Sequence, residues 1–191
     1  MTAPLRILGL YSPAPQSGKT TVAKMLARHG YTRLSFADPL KEMTVLLLHH
    51  LGYSWEGASD LVFVDKNALL DEIKTTPRHI LQTLGTEFGR QCIHPDLWVI
   101  CWRKRTEAEL ARGNNVVVDD VRFPNEADLV RSLGGQLWSI TRTGVTNSES
   151  HSSEGSLNTY PEFDYRITND GTLSDLQTAV AQKLGLPLEM V

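Results

Sequence analysis

The sequence predicts an α/β fold in which five parallel strands carry helices on both faces. Three observations predict it. A strand-like apolar run, residues 5–11, ends on the loop Ser17-Gly18-Lys19-Thr20. Val22, Met25 and Leu26 follow at helical spacing directly behind that loop. Short apolar runs then alternate with helix-period stretches through the rest of the chain, the pattern of strand, crossover helix and parallel strand. A strand that hands a tight loop to a helix N-terminus aims successive backbone N–H groups at one spot, where the helix dipole adds positive potential. The loop therefore reads as a phosphate cradle, and such sheets gather their ligands at the carboxyl ends of the strands.

The elements follow in order. Residues 18–29 are predicted as the first helix and 33–36 as a short second strand ending at Ala37-Asp38-Pro39. Leu40, Met43, Leu47, Leu48 and Leu51 fall on one face of the next helix, with His49 and His50 structural or exposed. Residues 52–65 mix Gly, Ser and aromatics and read as irregular, with a short helix after them. Thr76-Pro77 is an N-cap followed by proline at the first helical position, so a helix is expected from there to about Ile93. Another begins near Pro95 and turns Leu97, Trp98, Cys101 and Trp102 inward. Residues 115–119 form the third strand, 125–133 a helix closed by Gly134-Gly135, and 136–141 the fourth strand. Residues 142–163 turn to Ser, Thr, Asn, Gly and Glu and read as a long polar loop. A fifth strand at 165–168 and a closing helix lined by Leu173, Leu176, Val180 and Leu184 complete the chain.

Composition bounds the rest. At 191 residues, 41% hydrophobic and 21% charged, the chain suits one globular domain over residues 1–191. A net charge of −3 argues against a stable nucleic-acid partner, because gripping a polyanion needs a dense Lys/Arg surface. Cys92 and Cys101 are the only cysteines, which makes neither a disulfide framework nor a zinc site and suits a reducing cytoplasm. No apolar run approaches the roughly 18 residues of a membrane span, so no membrane partner is expected. Self-association into a homodimer stays open.

Four groups of residues carry chemistry. In the loop, Lys19 would reach the β- and γ-phosphates of a nucleotide and the Thr20 hydroxyl would ligate Mg²⁺. Pro13 stands where the usual pattern has glycine, and Pro15 removes a further donor, so the first half of the loop is stiffer. At the end of the third strand, Val116-Val117-Val118 delivers Asp119-Asp120. Strand alternation sends the two carboxylates to opposite sides, and Asp120, which leads into Val121-Arg122, is the expected Mg²⁺ residue. Arg78, Gln82, Thr86 and Arg90 are each four residues apart and make one polar stripe, opposite Ile80, Leu81, Leu84 and Phe88. Guanidinium forks suit a phosphate monoester and Gln suits a base edge, while the same stripe also fits a plain solvated face. Lastly, His151-Ser152-Ser153-Glu154 sits in the polar loop that Arg142 begins; Arg142 is the better placed for a phosphate, and a lone loop histidine also fits plain exposure to solvent.

Taken together, Phe36-Ala37-Asp38-Pro39-Leu40-Lys41-Glu42, Thr76-Pro77-Arg78 through Leu81-Gln82, Leu84-Gly85-Thr86-Glu87, Gly89-Arg90, Asp120-Val121-Arg122-Phe123-Pro124-Asn125-Glu126 and His151-Ser152-Ser153-Glu154 resemble the deoxynucleoside monophosphate kinases of bacteriophages. The likeness runs from about Arg6 to Ile167, in order. It implies the three-layer P-loop NTPase fold of the nucleoside-monophosphate-kinase type, ATP as donor, Mg²⁺ as cofactor and a deoxynucleoside 5′-monophosphate (dNMP) as acceptor. It further implies that residues 38–94 form an acceptor-binding helical segment and that 142–163 acts as a lid. On this resemblance Gln16, Ser17, Gly18, Lys19, Thr20 and Thr21 contact the nucleotide, and Asp38, Lys41, Arg78, Gln82, Thr86, Arg90, His151, Ser153 and Glu154 the acceptor. Lys19 serves the donor phosphates, Lys41, Arg122 and Arg142 are the candidate cations for the transferring group, and Thr20 with Asp120 holds the metal. Two other classes share part of the pattern. A phosphomevalonate-kinase-like enzyme would keep the loop and the Asp-x-Arg strand end without a base-reading helix face, and a partitioning ATPase would keep Ser-Gly-Lys-Thr-Thr.

Overall fold

A computed structural model of the chain describes residues 6–145 and 157–186. The chain divides into two compact units, Met1–Ser35 with Trp102–Val191, and Phe36–Cys101. The first unit is built on a five-stranded sheet, β1 (Ile7–Tyr11), β2 (Tyr31–Arg33), β3 (Asn115–Val118), β4 (Gln136–Thr141) and β5 (Tyr165–Thr168), in the spatial order β2-β3-β1-β4-β5. All four pairings are parallel. The chain leaves β1 toward one edge of the sheet and β4 toward the other, so the crevice that such a reversal opens lies at their carboxyl ends.

All five residues of β1 are buried, as a central parallel strand covered on both faces requires. On one face Leu8 and Leu10 join Val117, Trp138, Ile140 and Ile167 in a core. Helix α1 (Lys19–Arg28) fills it with Val22, Ala23, Met25 and Leu26, and the C-terminal helix (Leu173–Leu184) with Leu176 and Val180. Gly9 points the other way, where an added Cβ would lie 2.7 Å from Leu137 Cδ2 and 3.3 Å from Val121 and Val130. Val130 belongs to the helix Pro124–Ser132, so helices cover both faces, as expected. Trp102, fully buried, donates its indole N–H to the Leu34 carbonyl at 3.2 Å.

The second unit is helical: α2 (Asp38–His50), α3 (Trp55–Phe63), α4 (Pro77–Thr83) and a π-helix, Leu84–Ile93. Its core is Leu48, Ala58, Val62 and Leu70, with Ile80 and Leu81 against it. Helix α5 (Leu97–Ala111) returns the chain to the first unit.

Four expectations are corrected. The second strand lies at Tyr31–Arg33 rather than 33–36, with Leu34 continuing by one bond to the Val117 carbonyl. Helix α3 lies inside the stretch read as irregular, capped by Ser54, whose hydroxyl accepts from the Gly57 N–H. No helix follows it before Pro77; a turn closed by the Leu70–Thr75 bridge stands there. In α2 the buried row is Leu40, Thr44 and Leu48, whereas Met43 and Leu47 are exposed. Thr44 can take a core position because its hydroxyl bonds back to the Leu40 carbonyl at 2.8 Å.

Gly9→Val is expected to lower stability by about 1–3 kcal/mol, the usual cost of overpacking a filled core. A shift of the urea midpoint toward lower denaturant, with the slope unchanged, checks it.

Candidate active site

The loop between β1 and α1 lies in the first unit and takes its shape from two left-handed residues, Gln16 (φ 55°) and Gly18 (φ 110°). A turn of this kind makes a concave nest of N–H groups, which continues into the first turn of α1. Gly18 is required by its φ, which is strained for any other residue, and a Cβ there would also displace the Asn169 amide, whose Nδ2 would lie 2.6 Å away. That amide donates to the Ser17 carbonyl at 2.9 Å and ties the loop to the end of β5. Pro13 and Pro15 leave these donors intact. Ser12 steadies the first half of the loop, its hydroxyl accepting from the Ala14 N–H, and Lys19 Nζ donates to the Ala14 carbonyl at 3.3 Å.

A cavity of about 320 Å³ opens on this loop. Gln16, Ser17, Gly18, Lys19, Thr20 and Thr21 form one wall, and Arg142, Asn169, Gly171, Leu173 and Leu176 the other. Its size is at the lower end of ordinary small-molecule sites. Sequence reasoning placed Arg142 near the transferring group but missed Asn169, Gly171, Leu173 and Leu176. The signal that could have found them is the polar run Asn169-Asp170-Gly171 at the carboxyl end of an apolar strand. Ser17 Oγ, on a residue only 1% exposed, has no hydrogen-bond partner among the described residues. A buried hydroxyl left open beside a nest of N–H groups fits a bound polyanion that supplies the missing contact.

At the neighbouring strand ends, Thr20 Oγ1 donates to Asp119 Oδ2 at 3.0 Å. Arg33, at the end of β2, grips the same carboxylate with two bonds of 2.9 Å. The Asp119 side chain is 3% exposed, so a bidentate guanidinium is the partner such a buried charge requires. Asp120, the residue expected beside the metal, instead accepts a short hydrogen bond from the Ser35 hydroxyl. Thr20 and Asp119 together present hard oxygen donors of the kind Mg²⁺ takes. Arg122 follows with an exposed side chain, and its backbone N–H donates to Glu126 Oε2 at 2.8 Å. Glu126, buried, also accepts from Phe123 N–H, so this carboxylate fixes the turn that carries Arg122.

The second unit holds the other expected residues. Lys41 pairs with Asp38 at 3.3 Å and lies 5.7 Å from the centre of the Phe63 ring. Arg78 Nε donates to Asn67 Oδ1 at 2.8 Å, and Arg90 Nη1 to the Pro95 carbonyl at 3.0 Å. Arg78, Gln82, Thr86 and Arg90 are all half-buried. The face opposite them departs from expectation, for Phe88 is 44% exposed and Gly89 is buried in its stead. The 100° periodicity fails at Leu84, where the wider π-turns begin. His151, Ser153 and Glu154 lie outside the described residues.

The two described ends of the 142–163 loop are tied down. Asp170 accepts from the Thr143 N–H at 2.7 Å and its hydroxyl at 2.6 Å, and these bonds hold its carboxyl below the ordinary range. At the other end Leu157 is fully buried, despite the polar composition that argued against packing, and Tyr11 donates to Asn158 at 2.6 Å. Tyr160 donates to Asp128 at 2.8 Å, and burial together with that bond pushes its phenol up to about 12.

Parallel strands in this order around such a loop define the first unit as the α/β fold of nucleotide-type kinases. The fold matches dephospho-CoA kinase from Campylobacter jejuni (TM-score 0.52, 13% identity, 97% of each chain). It also matches a protein of Thermus thermophilus (TM-score 0.52, 17% identity, 96% of this chain and 98% of that one). A family profile for deoxynucleotide monophosphate kinase matches residues 64–180. A candidate deoxynucleotide monophosphate kinase of Acanthamoeba polyphaga mimivirus is 31% identical over 175 residues, 86% of this chain and 89% of its own length. The deoxynucleoside-5′-monophosphate kinase of Escherichia phage T5 is 38% identical over 73 residues, 37% of this chain and 28% of that protein. The chain belongs to the deoxynucleotide monophosphate kinase family and is an enzyme of the phosphotransferase class.

The depressed Asp170 carboxyl adds stability above the ordinary carboxylate range, and that contribution fades as the pH falls through its lower folded value. Asp170→Ala should therefore destabilise the protein at neutral pH and make no difference in strong acid. Urea midpoints of the two proteins, compared across that range, check the sign.

Proposed function

We propose that this enzyme transfers the γ-phosphoryl group of ATP to a dNMP, giving dNDP and ADP. One observation carries the reading in a chain of this family: the nest at Gln16 to Thr21, open on a cavity, with Thr20 bonded to a buried aspartate. The acceptor phosphate is already an anionic nucleophile, so no strong general base is required. Catalysis reduces to holding two mutually repelling groups in line and offsetting their charge.

In this reading the N–H groups of Gly18 to Thr21 and the Ser17 hydroxyl bind the donor phosphates, and Lys19 moves from the Ala14 carbonyl onto them. Thr20 holds Mg²⁺, with Asp119 as the carboxylate beside it, directly or through water. Bound Mg²⁺ would supply countercharge to the β- and γ-phosphates. Arg142, Asn169, Gly171, Leu173 and Leu176 give the cavity the mixed lining that suits the rest of a nucleotide. In the second unit, Arg78 and Arg90 bind the acceptor phosphate and Gln82 and Thr86 the nucleoside, with Asp38 and Lys41 alongside. Arg122 and Arg142 are the further cations for the transferring group. Residues 142–163 act as the lid, with His151, Ser153 and Glu154 as acceptor contacts. The enzyme works in the cytoplasm as a soluble protein; no helix among the described residues is long and apolar enough to cross a membrane.

Purified protein with ATP and Mg²⁺ is expected to convert at least one dNMP to its dNDP, read by chromatography of the nucleotides. Absence of product from all four dNMPs, with product from phosphomevalonate, would transfer the assignment to that rival. Lys19→Ala should lose at least a hundredfold in turnover with an unchanged unfolding midpoint.

Asp119→Asn should raise the Mg²⁺ concentration needed for half-maximal rate by about tenfold, and Asp120→Asn by less than threefold. Titration of rate against Mg²⁺ reads both, and the reverse order would return the metal role to Asp120.

A further inference from the structure

We propose that Trp98 is a positioning residue for the acceptor site, a wedge that sets the direction of Arg90 by holding the π-helix in its wide register. The inference rests on the reading of Arg90 as an acceptor-phosphate contact. Glycine is less favourable in a helix interior than any residue but proline, yet this segment has two, Gly85 and Gly89, four residues apart. The indole of Trp98 accounts for the second of them, Gly89, and is bonded to the backbone of the first. At Gly89 an added Cβ would lie 2.3 Å from Cζ2, 2.5 Å from Cε2 and 2.6 Å from Nε1 of that ring, separations no side chain adopts. At Gly85 the indole N–H donates to the backbone carbonyl at 2.8 Å. Trp98 is 4% exposed, so the ring is fixed by its surroundings, by its hydrogen bond and by the glycine it lies against.

Each glycine immediately precedes a residue of the polar stripe, Thr86 after Gly85 and Arg90 after Gly89. The Gly89 carbonyl accepts from His94 N–H at 2.9 Å, a bond spanning five residues rather than four. That wider turn exposes Phe88, buries Gly89 and sets the angle at which Arg90 leaves the helix. A regular α-helix would rotate Arg90 away from its present place, where Nη1 meets the Pro95 carbonyl. Trp98 touches no reacting group in this scheme. Its effect passes through the backbone of residues 85–90, and its signature is on acceptor binding alone.

The test is a kinetic comparison of Gly89→Ala, Trp98→Phe, Trp98→Leu, the double variant Gly89→Ala/Trp98→Leu and Arg90→Ala in the full chain. Gly89→Ala should raise the KM for dNMP at least tenfold and Trp98→Phe at least threefold, with the KM for ATP within twofold of wild type in both. In the Trp98→Leu background, where the obstructing ring atoms are gone, Gly89→Ala should change the dNMP KM by less than twofold. Should Gly89→Ala not fold, Trp98→Phe decides on the same threshold. Unchanged dNMP KM in the folded variants, an equal rise in the ATP KM, or multiplying effects in the double variant would overturn the proposal and leave Trp98 a core residue. Arg90→Ala separates the two levels. If it raises the dNMP KM while the Trp98 and Gly89 variants do not, the wedge is wrong and the acceptor reading stands; if it leaves that KM unchanged, the acceptor reading fails and the wedge falls with it.

Discussion

Burial of β1 on both faces and between two parallel neighbours is the constraint from which the donor site follows. All five of its residues are withdrawn from water, and at Gly9 the packing leaves no room for a single carbon. Such a strand can present polar groups only where it ends. The backbone leaves at Tyr11, turns through Gln16 and Gly18 with positive φ, and enters α1, so its unpaired N–H groups collect at one point. The same argument applies to β3, whose last three residues are buried before Asp119 emerges. Burial and the parallel register thus bring the ends of separate strands to one edge, and the chemistry of the site is what those ends carry.

Asp119 is where that convergence is tightest. Its carboxylate receives the first turn of α1 through Thr20 and the end of β2 through Arg33, joining two consecutive elements to a strand end far along the chain. An aspartate buried to this degree is tolerable only with its charge answered, and Arg33 answers it in bidentate form. The guanidinium also fixes the plane of the carboxylate, which leaves Oδ2 aimed at Thr20. Arg33 is therefore a part of the site that no motif announces. It lies at the end of a three-residue strand whose position the sequence placed two residues too late, so its neighbour across the sheet was not legible.

What the sequence made legible was governed by local chemistry. The fourth and fifth strands and the closing helix have clear apolar periods and sharp polar boundaries, and they fall where expected. The Thr76-Pro77 start of α4 was readable because the cap is a local device, and Thr76 does accept from the His79 N–H. Apart from α3 and its local Ser54 cap, the departures at the site depend on partners distant in sequence. Asp119 and Asp120 are chemically alike, and only the sheet order decides which meets Thr20. The π-helix has no signature in period, and the indole that packs on its Gly89 comes from nine residues further along the chain. Asn169, Gly171, Leu173 and Leu176 line the cavity from the end of β5 and the helix after it; the polar strand end is readable, but that it shares a cavity with a loop about 150 residues earlier is a property of topology.

The polar excursion after β4 shows how a loop contributes to a site before anything is asked of its interior. Closing a chain segment costs entropy that grows only slowly with length, so most of the cost lies in fixing the ends. Here both described ends are fixed. Asp170 holds Thr143 with two bonds, while Leu157 is buried and Asn158 takes the Tyr11 hydroxyl. Arg142 precedes the first of these anchors directly, and it borders the cavity together with Asn169 and Gly171, which flank Asp170. One aspartate thus couples the position of an arginine on the β4 side to the strand end that supports Gly18 through Asn169. Arg142 is carried to the cavity next to the anchor that Asp170 and Thr143 form.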